Sequence, residues 1–357
     1  MVIVAGGTGG HFFPAEALAS EFLTRGREVA LMTDARSGGL TSDVFARGER
    51  IVLSGAGIAG RGWYRATAAA AGLARGTWQA RTALRARDVA AIVGFGGYPC
   101  VAPVLASRLL RRRPPVILHE QNAVLGRANR ALARFADVLA LSFDATARVP
   151  ADARSVVVGN PVRPTMRRTP YAPPAGRVEV LVLGGSLGAR VMSDVVPAAL
   201  AALANRADMR VIQQCRAEDI ARVRAAYAAC GVAAELAPFF PDVPERLARA
   251  HLVIARAGAS TVAELAAVGR PAILVPLPHA IDDHQTANAR ALADAGGAWL
   301  IAQPQFTPET LAARLVDLLG DPATLAAAAA NAARQGRANA AADLADLVER
   351  TLARETP

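Results

Sequence analysis

The feature that most constrains the fold is a strand, glycine loop and helix pattern that occurs twice. Residues 2–10 and residues 180–188 each place four apolar residues before glycines and a single hydroxyl residue. After each copy, short Val- and Ile-rich segments alternate with longer, Ala-rich amphipathic ones. Alternating strands and helices are typical of parallel sheets covered on both faces. The repeat therefore predicts an α/β fold of two Rossmann-like, doubly wound parallel-sheet domains facing a cleft.

Thirteen short apolar segments are predicted strands. Seven lie at residues 2–5, 29–32, 50–53, 91–93, 116–118, 138–141 and 155–158, and six at 178–183, 209–213, 233–237, 252–254, 272–275 and 298–301. Between the sets, residues 161–176 hold six prolines or glycines, which is typical of a linker. We therefore expect a first domain over residues 1–163, to which a C-terminal helix at 340–357 returns, and a second over 164–339.

Composition excludes several classes of chemistry. All 40 basic residues are arginine, so neither a Walker A loop nor a pyridoxal Schiff base, which both need lysine, is available. The three cysteines, Cys100, Cys215 and Cys230, are scattered, which argues against a disulfide framework or a zinc site and for a reducing compartment. Asp282 and Asp283 match no metal-ligand spacing. We expect no metal and no cofactor.

Glycine-rich loops are the first group of candidate site residues. Residues 6–11, 94–98 and 184–186 follow predicted strands, where backbone N–H groups at a helix start can approach a phosphate. Each loop taken singly can be merely a tight strand-to-helix turn, and none has the dinucleotide spacing. Together they predict an anion-binding cleft that holds two phosphorylated ligands, one donor and one acceptor.

Polar clusters are the second group. Residues 119–122 (His-Glu-Gln-Asn) follow a predicted strand at the end where open α/β sheets bind ligands. In residues 256–264, Thr261 and Glu264 fit either a helix capping box or a site for a diphosphate and a ribose. Residues 279–288 suggest a sugar-binding loop. Proline at the first turn predicts further helices after Thr307 and Asp321.

These motifs, in this order, resemble the MurG family of glycosyltransferases over essentially the whole chain. Seven segments carry the resemblance: residues 6–11, 94–98, 119–122, 159–163, 184–186, 256–264 and 279–288. The resemblance implies a GT-B fold and inverting transfer of N-acetylglucosamine from UDP-N-acetylglucosamine to the C4 hydroxyl of lipid I. The product is lipid II, a precursor for peptidoglycan synthesis. Two departures are His284, where some relatives have glutamine, and Phe240, where a smaller aliphatic is usual.

The resemblance also implies roles for individual residues. His11 is the first candidate for the catalytic base and Glu120 the second, although His11 can instead only shape its loop. The UDP-N-acetylglucosamine site is implied to contain Thr8, Gly9, Gly10, Asn122, Arg163, Ser186, Phe240, Ala259, Thr261, Glu264 and Gln285. The acceptor's diphosphate is implied to lie at the loop of residues 8–11 and at Gly94, Gly96, Gly97 and Tyr98. Helix N-termini take the place of a metal at the departing diphosphate.

The uneven distribution of charge predicts the surface at which the enzyme binds its acceptor. Residues 1–164 hold 21 arginines and 11 acidic residues, whereas the remainder is balanced, so the first half is expected to face something anionic. Arginines at 108 and 111–113 adjoin Leu109, and Trp63, Tyr64 and Trp78 lie among others. We expect peripheral binding to an anionic membrane, at the cytoplasmic face of the bacterial plasma membrane, with no spanning segment and no signal peptide.

Three other functions compete with this interpretation. Another GT-B enzyme, such as a glycolipid synthase or an antibiotic glycosyltransferase, is disfavoured by the polar cluster at residues 119–122. A non-catalytic sugar-nucleotide-binding subunit is disfavoured because both halves are present in one chain. A nucleic-acid binder is suggested only by the net charge of +10, since aromatic residues make up 5% of the chain and no recognition motif occurs.

Overall fold

The computed structural model describes residues 1–6, 9–34, 42–46, 48–54, 63–185, 188–203 and 208–355, with only the backbone at 63–66 and 355. Its strands are β1 (Val2–Val4), β2 (Ala30–Asp34), β3 (Glu49–Leu53), β4 (Ile92–Gly94), β5 (Val116–Glu120), β6 (Val138–Leu141), β7 (Ser155–Val157), β8 (Val178–Leu183), β9 (Met209–Gln214), β10 (Ala233–Ala237), β11 (Leu252–Ala255), β12 (Ala272–Leu274) and β13 (Ala298–Leu300). The helices are α1 (Gly9–Thr24), α2 (Asp43–Ala46), α3 (Trp63–Arg85), α4 (Val101–Ser107), α5 (Arg127–Leu132), α6 (Arg190–Ala201), α7 (Ile220–Ala229), α8 (Val243–Arg249), α9 (Ala259–Val268), α10 (His284–Ala293), α11 (Pro308–Gly320), α12 (Pro322–Gln335) and α13 (Ala340–Glu355).

The strands form two parallel sheets. The first has the order β3-β2-β1-β4-β5-β6-β7 and the second the order β10-β9-β8-β11-β12-β13. In both, the strand order reverses beside the first strand, between β1 and β4 and between β8 and β11. This reversal is the position at which doubly wound sheets bind ligands. The predicted α/β fold class is confirmed, and each predicted strand is present to within two residues at either end.

The chain divides into two compact units, Met1–Arg163 with Asn339–Pro357, and Pro164–Ala338. In the first unit, α13 packs its apolar face on α1, burying Leu344 and Val348 in one core with Phe22. Ion pairs flank this contact: the Arg25 guanidinium lies 2.6 Å from the Asp346 carboxylate and 2.9 Å from that of Glu349. The C-terminal helix therefore neutralises part of the basic charge of the first half.

Both sheets are buried because helices cover their faces. In the first unit, one core lies under α1 and α13, and a second lies under α3 and α4, where Leu84 and Val104 are buried. In the second unit, α6, α7 and α11 cover one face, with Met192, Tyr227 and Leu315 buried in its core. Across the described part of the chain, no helix is both long and apolar enough to span a bilayer.

Arg270 fastens the linker to the second unit. Its buried guanidinium donates to the carbonyl oxygens of Leu247 at 2.8 Å, Gly269 at 2.9 Å and Thr169 at 3.0 Å. We expect Arg270→Met to lower the free energy of unfolding of this unit. Each buried carbonyl that loses its donor should cost roughly 1–3 kcal/mol. Hydrogen exchange should show lost protection in peptides of residues 164–338, whereas the exposed-site control Arg314→Met should not. Unchanged exchange around Thr169 in Arg270→Met would contradict this.

Candidate active site

In the first unit, the loops that follow β1, β4 and β5 lie at one edge of the sheet, since parallel strands share their carboxyl ends. The loop after β4 requires glycine. A side chain at Gly94 would place its Cβ 2.9 Å from Leu118, and Gly96 and Gly97 have φ values of +81° and +71°. These conformations are costly for other residues. With no side chains at these glycines, a ligand at this edge can contact the backbone of the loop directly.

Tyr98 follows this loop and lies in a short 3₁₀ turn (Tyr98–Cys100). Its hydroxyl is buried, and among the described residues it has no hydrogen-bond partner. It lines a small pocket with residues at the ends of β2 and β3, where the buried Thr33 hydroxyl likewise has no partner among the described residues. Both residues lie at the carboxyl edge of the first sheet.

His11 lies on the first turns of α1, beside the glycine loop after β4. Its Nδ1 is 2.8 Å from Gln121 Oε1. Its Nε2 faces the glycine loop, because a Cβ added to Gly97 would lie 3.7 Å from that nitrogen. Gln121 Nε2 lies 2.9 Å from His119 Nδ1, and His119 Nε2 lies 2.9 Å from the Gly159 carbonyl oxygen. Two histidines and one glutamine are therefore joined by hydrogen bonds at this edge.

His119 is completely buried at the end of β5. Burial lowers the pKa of its imidazole to about 4, because the charged form loses its hydration. His119 is accordingly neutral at physiological pH, with one ring nitrogen a donor and the other an acceptor.

Glu120 holds the following loop. Its Oε1 accepts hydrogen bonds from the backbone N–H and side-chain amide of Asn122, both at 3.0 Å. Its Oε2 accepts from the Gly126 N–H at 2.8 Å and from the Asn129 amide at 2.9 Å. Because a carboxylate offers about four lone-pair positions, these bonds occupy its accepting capacity. Glu120 is therefore placed to shape residues 121–129.

In the second unit, the loops after β8 and β11 flank the reversal of strand order. Gly184 cannot carry a side chain, since its Cβ would lie 2.4 Å from the Ala189 nitrogen. Gly185 and Gly188 have φ values of +83° and +67°. The loop after β11 leads into α9, whose N-cap is Gly258. Backbone N–H groups at the start of α9 are thus presented at the same edge as the glycine loop.

The start of α9 excludes the capping-box interpretation of residues 261–264. The helix begins at Ala259, two residues before Thr261, and no side chain caps it. Thr261 and Glu264 instead lie within the helix, three residues apart and therefore on one face. Both are half-buried. Of the two interpretations of Thr261 and Glu264, the ligand site therefore remains and the capping box does not.

Phe240 lies beyond β10 and is buried, whereas its neighbour Phe239 is two-thirds exposed. The Arg246 guanidinium lies 4.2 Å from the centre of the Phe240 ring and pairs with the carboxylates of Glu235 and Asp242, at 2.7 and 2.8 Å. These contacts fix the backbone around Phe240 at the sheet edge.

The loop before α10 is tightly turned. Asp282 and Asp283 both have positive φ values, and Gln285 Oε1 accepts the Leu277 N–H at 3.0 Å. Arg256, at the end of β11, donates to the carbonyl oxygens of Val275 and Pro276 and to Gln303, so it supports the same loop. Within the described ranges, no group of His, Cys, Asp and Glu could hold a metal ion.

Comparison with known proteins identifies the family. Residues 1–140 match the glycosyltransferase family 28 N-terminal domain, and residues 179–347 match the C-terminal domain of the same family. The chain belongs to glycosyltransferase family 28. A curated relative from Granulibacter bethesdensis is 66% identical over 99% of this chain and 94% of its own length. That protein is named UDP-N-acetylglucosamine–N-acetylmuramyl-(pentapeptide) pyrophosphoryl-undecaprenol N-acetylglucosamine transferase.

Solved structures agree with membership of family 28. MurG of Acinetobacter baumannii matches with a TM-score of 0.80 and 32% identity, covering 98% of this chain and 99% of that one. The calicheamicin glycosyltransferase CalG4 matches with a TM-score of 0.67 at 17% identity, covering 100% and 99%, which shows a shared fold alone. The predicted resemblance to the MurG family and the GT-B fold are confirmed.

Most of the predicted site residues fall at the two sheet edges. In the first unit, Gly9, Gly10 and His11 lie at the start of α1, and Arg163 has its guanidinium 5.4 Å from the centre of the Phe13 ring. The other residues lie at the carboxyl ends of β4 and β5 or directly after them: Gly94, Gly96, Gly97, Tyr98, Glu120 and Asn122. In the second unit, Ala259 begins α9, and Phe240, Thr261, Glu264 and Gln285 lie in or beyond the loops after β10, β11 and β12. Thr8 and Ser186 lie outside the described residues.

Three residues that the structure connects to the site had no individual role among the predictions. Gln121 and His119 were recognised only as members of a polar cluster, although Gln121 is hydrogen-bonded to the candidate base and His119 is hydrogen-bonded to Gln121. Arg246 was not singled out. The sequence signal for Arg246 is Asp242, four residues earlier, which predicts an ion pair along a helix. That spacing does not show that the Arg246 guanidinium lies over the Phe240 ring.

Proposed function

We propose that this chain transfers N-acetylglucosamine from UDP-N-acetylglucosamine to the C4 hydroxyl of the muramyl sugar of lipid I. The product is lipid II, with a β-1,4 link, for peptidoglycan synthesis. The observation that carries the proposal is the 66% identity, over nearly the whole chain, to a relative named for this transfer. The two glycine-loop edges, one in each unit, supply the anion-binding backbone that two diphosphate-bearing substrates need.

We assign the donor mainly to the second unit. The start of α9 and the loop after β8 offer N–H groups to the diphosphate, with the Thr261 hydroxyl beside them. Glu264, on the same face of α9, accepts hydrogen bonds from the ribose hydroxyls. The backbone at Phe240 meets the uracil, and the Gln285 amide, held at Leu277, meets the sugar. Helix dipoles stabilise the charge of the departing UDP.

We assign the acceptor to the first unit and the base to His11. The acceptor's diphosphate lies against Gly96 and Gly97, and His11 Nε2 faces this loop. As the C4 oxygen attacks the anomeric carbon, the bond from that carbon to the UDP oxygen breaks and the hydroxyl proton moves to His11 Nε2. The Glu120 carboxylate already accepts four hydrogen bonds, so it serves this loop better than it would serve as base.

We place the enzyme on the anionic, cytoplasmic surface of the bacterial plasma membrane, bound peripherally through its first unit. Arginines 111–113 are exposed after α4, and Trp78 on α3 is exposed beside Leu109. Such groups attract anionic headgroups and settle at the interface. This position delivers an acceptor whose lipid tail remains in the bilayer.

A product assay tests the proposed transfer. UDP release from UDP-N-acetylglucosamine should require a lipid I analogue and should match, mole for mole, the disaccharide product detected by mass spectrometry. Donor binding without release, with the analogue present, would instead indicate a non-catalytic sugar-nucleotide-binding subunit. Release with other acceptors only would indicate a different GT-B enzyme.

A substitution at Glu264 tests the donor site. We expect Glu264→Ala to weaken UDP binding by roughly 1.5–3 kcal/mol, since the ribose loses a charged hydrogen-bond acceptor. Titration calorimetry measures this directly. The matched control is Glu245→Ala, an exposed glutamate in the first turn of α8 that has no assigned role. Equal UDP affinity for Glu264→Ala and wild type would remove Glu264 from the donor site.

A further inference from the structure

Gln121 lies between the two histidines of the first-unit site, and its amide orientation is determined by its neighbours. Gln121 Nε2 lies 3.1 Å from the backbone carbonyl oxygen of His119, an atom that can only accept. The amide nitrogen must therefore be on this side, and the amide oxygen must face His11. This assignment does not depend on either histidine.

The protons on both imidazoles follow from this orientation. His119 Nε2 faces the Gly159 carbonyl oxygen, so it carries the proton and donates. His119 Nδ1 is then unprotonated and accepts from Gln121 Nε2 at 2.9 Å. Gln121 Oε1 can only accept, so His11 Nδ1 must carry a proton and donate to it at 2.8 Å. The two outer bonds each end on an acceptor-only oxygen, and the direction of the central bond, from Gln121 Nε2 to His119 Nδ1, follows from them.

We infer that Gln121 and His119 are positioning residues that hold neutral His11 as its Nδ1–H tautomer, leaving Nε2 as the proton acceptor beside the glycine loop. Nothing in the sequence assigns this role, because it depends on a chain of hydrogen bonds from His11 through Gln121 to His119 that only the fold brings together. The inference rests on the proposed function, in which His11 is the base, and it states how the base is kept in its active form.

Burial of His119 keeps this hydrogen-bond arrangement the same across the physiological pH range. His119 is fully buried, and its lowered pKa keeps it neutral, so its Nδ1 remains an acceptor throughout the physiological range. A second proton on His119 would face the amide N–H of Gln121 and break the chain. Among the described residues, other titratable groups on elements around His11 include Glu120 on β5, Tyr98 and Cys100 after β4, and Arg163, which lies near Phe13.

Two substitutions at Gln121 separate positioning from packing. Gln121→Leu keeps the approximate volume but neither accepts from His11 nor donates to His119. We expect kcat to fall roughly tenfold or more with little change in the KM for UDP-N-acetylglucosamine, since the base is no longer held in one tautomer. Gln121→Glu retains an acceptor for His11 Nδ1. It should recover part of kcat and move the acid limb of the kcat/KM profile to higher pH, because a carboxylate favours the imidazolium.

The tautomer itself can be observed without any turnover. Long-range proton–nitrogen correlation spectra of protein labelled with ¹⁵N-histidine, with His11 assigned from His11→Asn, should show His11 Nε2 unprotonated at mildly alkaline pH. In Gln121→Leu the His11 signals should move toward a tautomer mixture, whereas the control Gln305→Leu, an exposed site in the second unit, should match wild type.

Each result decides one question. A wild-type His11 protonated on Nε2, or Gln121 variants with unchanged His11 spectra and an unchanged acid limb, would overturn the inference. Loss of kcat in both variants with wild-type His11 spectra would also overturn it, since Gln121 would then act by packing. If wild type shows the expected tautomer but no transfer to a lipid I analogue, the proposed function fails while the tautomer assignment stands.

Discussion

His11→Ala should lower the transfer rate by roughly 10²–10⁴-fold, the usual contribution of a positioned general base. UDP affinity should change little, because His11 lies at the sheet edge of the first unit and the donor is assigned mainly to the second. Steady-state kinetics with a lipid I analogue, together with calorimetric titration of UDP, measures both quantities. Added imidazole should restore part of the rate in His11→Ala, since it can enter the space left by the side chain.

Glu120→Gln is the matched comparison for the choice of base. An amide presents a nitrogen to two N–H donors that the carboxylate now satisfies, so we expect this variant to lose hydrogen-exchange protection in residues 122–129. A fall of less than about tenfold in His11→Ala, with near-complete loss in a stably folded Glu120→Gln, would transfer the role of base to Glu120.

The strands were predictable because burial on both faces of a parallel sheet leaves a continuous apolar signal. Strand β8, for example, ends in four consecutive buried apolar residues, which are followed directly by the glycines of its loop. Helix starts that carry their own cap were predictable for a similar reason. Thr307 accepts the Thr310 N–H and Asp321 accepts the Ala323 N–H, as proline at the first turn indicated.

The start of α9 was not predictable from local residue types. Thr261 and Glu264 have the spacing of a capping box, but Gly258 caps the helix because β11 ends at Ala255 and the chain turns at once. The loop geometry set by the sheet therefore overrides a local preference. The same limit applied to His119 and Gln121. Their spacing gives no sign that Gln121, itself bonded to His119, reaches His11 across 110 residues of sequence.

The exposed groups that we assign to the membrane lie next to one another. Trp78 on α3 is 65% exposed and Leu109 after α4 is 56% exposed. Arg81 links them, since its guanidinium lies 5.3 Å from the centre of the Trp78 ring and its Nε donates to the Leu109 carbonyl oxygen. We call Trp78, Arg81, Leu109 and arginines 111–113 the basic patch. Arg61 and the side chains of Trp63, Tyr64 and Arg65 lie outside the described residues.

Arg108 differs from the arginines that follow it. It is half-buried, and its guanidinium donates to the Phe135 carbonyl oxygen, so its loss would also disturb the fold. Arginines 111–113 are exposed, and the one ion pair described among them, from Arg112 to Asp88 at 3.7 Å, joins two side chains that are each 94% exposed. Such a pair contributes little to stability. These three arginines can therefore be replaced to test membrane binding alone.

Replacing arginines 111–113 by serine should weaken binding to anionic liposomes by roughly 100-fold, at about 1 kcal/mol for each basic side chain near the surface. Sedimentation with vesicles containing phosphatidylglycerol measures this, and wild-type binding should weaken as salt rises, because counterions screen the attraction. Arg168, Arg224 and Arg314, all exposed in the second unit, provide a triple-serine control with the same change in charge. Trp78→Ser should weaken binding without changing the salt dependence, since it removes an interfacial aromatic and no charge. Equal binding of wild type to neutral vesicles, or equal losses in the two triple variants, would contradict the assignment of the basic patch to the membrane.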